Sequence, residues 1–255
     1  MFKRLQRWTG GEAVEVDTQV LAGVVRPGDT FPGQVVLRAV GKDVQVETIV
    51  LRAVAEYLQL DTGEAEADEI GYQYLDGPFV VRKEQEHQVR FSMRLPWETP
   101  ITELAGQALG PVVRLQTLLG DEDSQDGADH DLIHVSSLPL HEAIMDAFAA
   151  AGWTFHTSRL VGERVPVADQ IFDFHQSFTL TDRGSAVGGP GDLEVAFLTN
   201  AVGSEVFVRP AAPESRYWND KPPARRFIAA HHDLDRVDWP AEIRRWIGEA
   251  ARWTG

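Results

Sequence analysis

The sequence predicts a mainly β protein: two antiparallel β-sandwich halves joined by a helix, with an amphipathic helix at the C-terminus. Three observations predict it. Apolar residues recur with a period of two along most of the chain. Turn residues separate these runs at short intervals, as in a sandwich and unlike a parallel α/β sheet. Only two long stretches switch to a helical period.

The first strand is "VEVDTQV", with Val14, Val16, Thr18 and Val20 on one face. "VQVETIVLRAVAEY", Val44 to Tyr57, follows the turn Gly41-Lys42-Asp43 and reads as one long strand. "HQVRFSMRL" alternates cleanly, with Val89, Phe91, Met93 and Leu95 inward and Gln88, Arg90, Ser92 and Arg94 outward. Such alternation marks antiparallel sheets with one solvated face. "VVRLQTLL" and "DLIHV" continue the pattern. Then "SSLPLHEAIMDAFAAAGW" breaks it: Leu140, Ile144, Ala147, Phe148 and Ala151 share a helix face. Pro139 suits the first helical position and Gly152 the C-terminal cap. This helix divides the chain into 1–137 and 138–255.

Strands resume at Trp153. "QIFDFHQSFTL" places Phe172, Phe174, Gln176 and Phe178 on one side, and "DLEVAFLT", "SEVFVRP" and "RRFIAAHHDL" follow. The last helix is "DWPAEIRRWIGEAARWTG", with Asp238 as its cap and Pro240 in its first turn. Trp239, Ile243, Trp246, Ile247 and Trp253 form its apolar stripe. A buried tryptophan covers ~150–250 Å², so this stripe needs a cover. The helix folds back on its own half, or docks on a protein partner or a second copy of the chain. These five residues are the candidate partner interface.

Composition narrows the function. With 255 residues and 43% hydrophobic residues, the chain is large enough for a real core. The net charge of −15 repels a phosphate backbone and argues against nucleic-acid binding. The absence of cysteine excludes disulfides, thiolate metal sites and cysteine catalysis. No apolar run is long enough to span a bilayer, and the basic N-terminus is too short and polar for a secretory signal. The expected location is the cytoplasm. "MFKRLQRW" puts Phe2, Leu5 and Trp8 beside Lys3, Arg4 and Arg7. It reads as a short packed helix, with contact to an anionic membrane as the alternative.

Chemistry-bearing motifs are few. "GDEDSQDGADHD", Gly120 to Asp131, begins like a calcium loop, but Asp126 stands where glycine is needed and Leu132 where the bidentate acid belongs. "HDLIH", His130 to His134, has Asp131 where a zinc helix has glutamate, and its context reads as a strand. "HHDLD", His231 to Asp235, puts adjacent histidines on opposite faces of a strand. The glycines Gly188, Gly189 and Gly191 lack a following helix or Lys-Ser/Thr pair, and no G-x-S-x-G elbow occurs. The expectation is a non-enzymatic protein with no cofactor. The alternative is a metal-dependent protein using residues 121–131 or the histidine clusters.

In order along the chain, "VEVDTQV…VRPGDTFPGQVVLRAV", "LPWETPIT", "DHDLIHV", "LPLHEAIMDAFAAAGW" and "DLEVAFL" resemble the bacterial sporulation-control family, the Spo-zero-M group. The resemblance runs from about Val14 to Leu198. It implies an arrestin-like pair of β-sandwich domains and a regulator without catalytic or metal residues. It also implies protein partners linked to sporulation, cell division or the cytoskeleton. The tryptophan-rich last helix departs from the pattern. "LPWETPIT", Leu95 to Thr102, is expected to be a stiff extended bend with Trp97 inward and Glu98 facing water.

Overall fold

A computed structural model describes residues 13–58, 64–75, 77–120, 129–166, 168–184, 191–212, 215 and 217–250. The N-terminal half holds two main sheets around one core. The first is β1 (Ala13–Val20), β2 (Thr30–Val40) and β7 (Glu86–Arg94), with β2 central. The second runs β11 (Asp129–Leu132), β10 (Val112–Leu119), β4 (Ile49–Leu58), β5 (Ala65–Tyr74). Alternation decides which side chains meet: Val16, Leu37 and Phe91 from the first sheet join Leu51, Ala53 and Leu115 from the second. Gly33 lies opposite Phe91 in the register, and a Cβ there would strike the Phe91 ring. Inside the sandwich, the hydroxyls of Thr18 and Thr117 meet at 2.6 Å, and the Thr18 N–H donates to Asp129 at 2.8 Å.

The expected single strand from Val44 to Tyr57 is two strands. β3 (Val44–Val46) pairs with β6 (Phe79–Val81), whereas β4 pairs with β5 and β10. The chain changes sheet at Glu47-Thr48. There Gly77 packs on the Glu47 carbonyl, and the Gly120 N–H donates to the Thr48 carbonyl at 3.1 Å. The sequence carries a trace of the break, because the buried positions shift phase by one residue between Val46 and Ile49. A short hairpin, β8 (Glu103–Leu104) with β9 (Gln107–Ala108), completes this half.

Helix α1 (Pro139–Ala150) starts with proline in its first turn and is followed by Gly152 at φ +101°. Its buried face carries Leu140, Ile144, Ala147 and Phe148, as the spacing predicts, with His141 and Met145 added. The C-terminal half differs from the expected second sandwich. Among the described residues its main-chain pairing forms a single five-stranded antiparallel sheet: β12 (Trp153–Val161), β13 (His175–Asp182), β14 (Leu193–Thr199), β15 (Gly203–Pro210), β16 (Arg225–Ala230). β13, β14 and β15 bury residues of both parities. One face carries Phe178, Val195, Val206 and Phe227 into the main core, shared with α1 and α2 (Trp239–Ala250). The other face is covered by loop residues around Val165 and Trp218, over Ala196, Leu198 and Phe207. Loops and helices therefore do the covering expected of a second sheet.

Two strand boundaries also move. β13 begins at His175, so Phe172 and Phe174 precede it, their rings stacked at 5.2 Å. The Gln170 side chain accepts from the Val165 N–H and donates to the Phe174 carbonyl, which gives this loop local partners instead of a ladder. β16 ends at Ala230, whose N–H donates to Asp233, and His231–Asp233 form a 3-10 turn rather than strand. Among the described residues no helix is long and apolar enough to cross a membrane.

Candidate functional site

The two halves meet along a seam built from "LPWETPIT". Pro96 cannot donate to a ladder, so β7 stops short of it. The Pro96 carbonyl accepts from the Thr99 N–H (3.2 Å), the Thr99 hydroxyl (2.8 Å) and the Gly28 N–H (3.2 Å). The segment is thus a hydrogen-bonded turn and not the expected extended bend. Gly28, at φ +81°, lies under the Trp97 indole, where an added Cβ would sit 2.6 Å from ring carbons.

Trp97, Glu98 and Ile101 each reach the other half. The Trp97 ring lies 5.4 Å from the His231 ring. Glu98, expected in water, is half-buried and accepts the Ile171 N–H at 2.9 Å. Burial pushes its carboxyl up, opposed by the N–H groups of Ile171 and Phe172. The Gln176 amide spans the seam like a strand: its oxygen accepts the Ile101 N–H, and its nitrogen donates to the Ile101 carbonyl and the Ser158 hydroxyl, each at 2.9 Å. Between these groups a cavity of about 30 Å³ remains, lined by Trp97, Glu98, His141, Gln176, Phe197 and Thr199. That is room for about two waters, far below the space an ordinary small-molecule ligand fills.

Beside the seam, His141 of α1 stacks on Phe197 at 4.4 Å. Its Nε2 is within hydrogen-bonding distance of Thr199 (3.0 Å) and Ser204 (2.9 Å). Burial, with a smaller contribution from His231, pulls its pKa down to about 3, so the ring is neutral. This histidine–hydroxyl group looks like the start of a nucleophilic site. Ser204 is 2% exposed, however, and its hydroxyl is shared between His141 and Thr199, so the group serves as a buried polar tie.

A second polar cluster lies on the opposite face of the C-terminal sheet. Glu194 and Arg209 are cross-strand partners. The Arg209 guanidinium donates to Glu194 at 2.9 Å, Lys221 donates at 3.0 Å, and the Ser177 hydroxyl donates at 3.0 Å. Burial alone would raise the Glu194 pKa, but the hydrogen bonds and charges of Arg209 and Lys221 outweigh it and hold it at about 2. Burial lowers the Lys221 pKa against the attraction of Glu194. Trp218 covers the group, with the Arg209 guanidinium 3.8 Å from its ring centroid. His175 donates from Nδ1 to the Glu163 carbonyl at 2.7 Å. Its Nε2 is buried without a partner among the described residues, and burial lowers its pKa to about 4.

The family comparison matches the SpoOM protein model over residues 2–209, most of the chain. The chain belongs to the Spo0M family. A curated relative, the "Sporulation-control protein spo0M" of Bacillus subtilis (strain 168), is 27% identical over 209 residues, covering 80% of this chain and 78% of that protein. The crystal structure of Spo0M, sporulation control protein, from Bacillus subtilis superposes with a TM-score of 0.75 at 22% identity. It covers 92% of this chain and 97% of that one, so the Spo0M-like fold extends through the C-terminal half.

Within this Spo0M fold the sequence-derived candidates are dispersed. Trp239, Ile243 and Trp246 are buried and Ile247 half-buried, all against the chain itself. Trp246 stacks on Phe227 at 4.5 Å and donates to Glu242 at 2.8 Å. Trp253, the basic N-terminus, and residues 121–128 of the acidic loop lie outside the described residues. Asp129 is buried, taken up by the Thr18 N–H. His130 and His134 are exposed, and His231 donates to the Asn200 carbonyl at 2.9 Å. Among the described residues no three His, Asp or Glu side chains are placed to hold a metal. Sequence reasoning missed Gln176, His141 and the Glu194–Arg209–Lys221 group. The available signal was a charge inside an apolar strand: Glu194 in "DLEVAFLT" and Arg209 in "SEVFVRP".

Proposed function

We propose that the chain is a non-enzymatic, arrestin-like regulator that works in the cytoplasm by holding protein partners in bacterial development, cell division or the cytoskeleton. Membership of the Spo0M family across residues 2–209 is the observation that carries this reading. The curated relative's name, a sporulation-control protein, gives the process. The seam is consistent with it, because its described polar groups tie two β-rich halves together around a cavity of about 30 Å³. The halves act as one scaffold that presents sheet edges and loops, without cofactor or metal.

The test is affinity purification from the native host, alongside a deletion strain scored for sporulation and division. Reproducible protein partners and a developmental or division defect are expected. Calcium and zinc titrations with elemental analysis supply the opposite outcome. One equivalent of metal, lost in Asp123→Ala or His231→Ala, would replace this reading with a metal-dependent one.

A further inference from the structure

Residues 217–224 lie between β15 and β16, outside both strands, and cross the outer face of the C-terminal sheet. Few contacts hold them down. The Trp218 N–H donates to the Glu163 carboxylate at 2.6 Å, and its carbonyl accepts from Arg209 at 3.1 Å. Lys221 reaches Glu194 at 3.0 Å. The half-buried indole rests on Arg209, meets the Phe207 ring at 5.8 Å, and helps to cover Ala196 and Leu198.

Under this strap sits His175, 2% exposed, its ring nearly perpendicular to the indole at 5.2 Å. The Glu163 carbonyl can only accept, so the proton lies on Nδ1. Nε2 is left with a bare lone pair, buried and without a partner among the described residues. Glu163 thus holds the histidine with its carbonyl and the strap with its carboxylate.

A second proton has no place in this arrangement. It would make Nε2 a buried donor without an acceptor. The charges facing the ring are Glu194 from β14, Arg209 from β15 and Lys221 from the strap; Glu194 favours the imidazolium and both cations oppose it. Glu194 is already taken by those cations and by Ser177. Around them, Arg159 of β12 adds positive charge at Lys221, Asp220 is exposed in the strap, and Arg164 pairs with Asp173 in the loop before β13. Burial is the leading cause that holds the His175 pKa down at about 4, whereas an imidazole in water takes its proton near 6.5. On the other side the ring is anchored by β13, where His175 lies opposite Val161 of β12. The strap is therefore the part that can give way.

We propose that residues 217–224 form an acid-released strap, shut over neutral His175 and opened when Nε2 takes a proton. Opening lifts Trp218 from Phe207, Ala196 and Leu198 and bares an apolar face that is covered at neutral pH. The shut form binds fewer protons than the open one, so acid favours opening.

The test is amide exchange at Trp218 and Lys221 in the full chain from pH 7.5 to 4, corrected for the intrinsic rate. With His175 near 4 when shut and near 6.5 when open, the opening equilibrium should rise about tenfold per pH unit below 6.5, roughly thirtyfold between pH 7.5 and 5. His175→Asn keeps a donor for the Glu163 carbonyl and cannot titrate; its strap exchange should change less than threefold over that range. The proposal is overturned if the wild-type strap shows no rise, if the core amide of Val206 rises equally, or if His175→Asn keeps the rise. Should that variant fail to fold, histidine nitrogen shifts of the wild-type protein decide. The pH at which strap exchange levels off must match the titration midpoint of His175, and a mismatch of more than one pH unit overturns the proposal.

Discussion

Glu194 and Lys221 are partners in one buried ion group, yet removing them should have very different consequences. The group contains one anion and two cations, with side chains 7% exposed for Glu194, 2% for Arg209 and 1% for Lys221. At about 3 Å and an effective dielectric constant near 20, each cation gains about 5 kcal/mol from Glu194 before desolvation is charged against it. Glu194→Gln leaves two buried cations facing each other without an anion, and should cost about 3–5 kcal/mol. Lys221→Met leaves the Arg209–Glu194 pair intact and removes the desolvation cost of an ammonium, so it should cost about 1 kcal/mol or less. The double variant should recover part of the Glu194→Gln loss, because it removes the repulsion between cations. Urea unfolding followed by tryptophan fluorescence and circular dichroism measures all three. Acid supplies a second check. The Glu194 pKa is depressed from its ordinary 4.5 to about 2, so its stabilisation is complete above pH 4.5 and is lost as pH falls toward 2. That shift is worth on the order of 3 kcal/mol, and Glu194→Gln should remove it from the pH profile. If Lys221→Met proved the costlier change, or if both cost under about 1 kcal/mol, the charge count used here would be refuted.

Trp246→Ala should cost about 3–5 kcal/mol in chemical denaturation, because the indole is fully buried on Phe227; an unchanged stability with altered oligomeric mass would place that side chain at an interface instead. Gly28→Ala forces an alanine into φ +81° against the Trp97 ring and should cost about 1–3 kcal/mol in a thermal melt. Gln176→Leu strands the N–H and carbonyl of Ile101, with an expected loss of about 2 kcal/mol and faster amide exchange at Ile101. The His141 and His175 pKa values are depressed from 6.5 to about 3 and about 4. Their contribution is therefore complete above pH 6.5 and falls away as pH drops toward those values. Nitrogen chemical shifts at pH 5 should report both rings neutral.

Much of the N-terminal half was legible because one-sided burial writes a period of two into each strand. Val89, Phe91, Met93 and Leu95 are buried as their alternation predicts, and α1 starts and stops where proline and glycine punctuate it. The reading failed where neighbours rather than spacing set the conformation. Val44 to Tyr57 looked continuous because both pieces are strand, while the change of sheet depends on Gly77 and Gly120, distant in sequence. "QIFDFHQSFTL" looked like strand throughout because aromatic alternation does not reveal that Gln170 satisfies the preceding loop. The seam was least legible: Gln176 and Ile101 are 75 residues apart, and neither residue type carries a motif.

By itself the sequence determined the β-rich class, both helices, their apolar faces and the resemblance to the sporulation-control family. Those properties are written in local periodicity, in Pro and Gly punctuation, and in the order of short motifs. Only the tertiary structure decided what covers each face. It turned Trp239, Ile243 and Trp246 of α2 inward, replaced an expected second sheet with loops and helices among the described residues, and assembled Glu194, Arg209 and Lys221 into one buried group. The physical reason is that burial and ionic pairing depend on which distant segments meet, whereas strand and helix patterns depend on residues only a few positions apart.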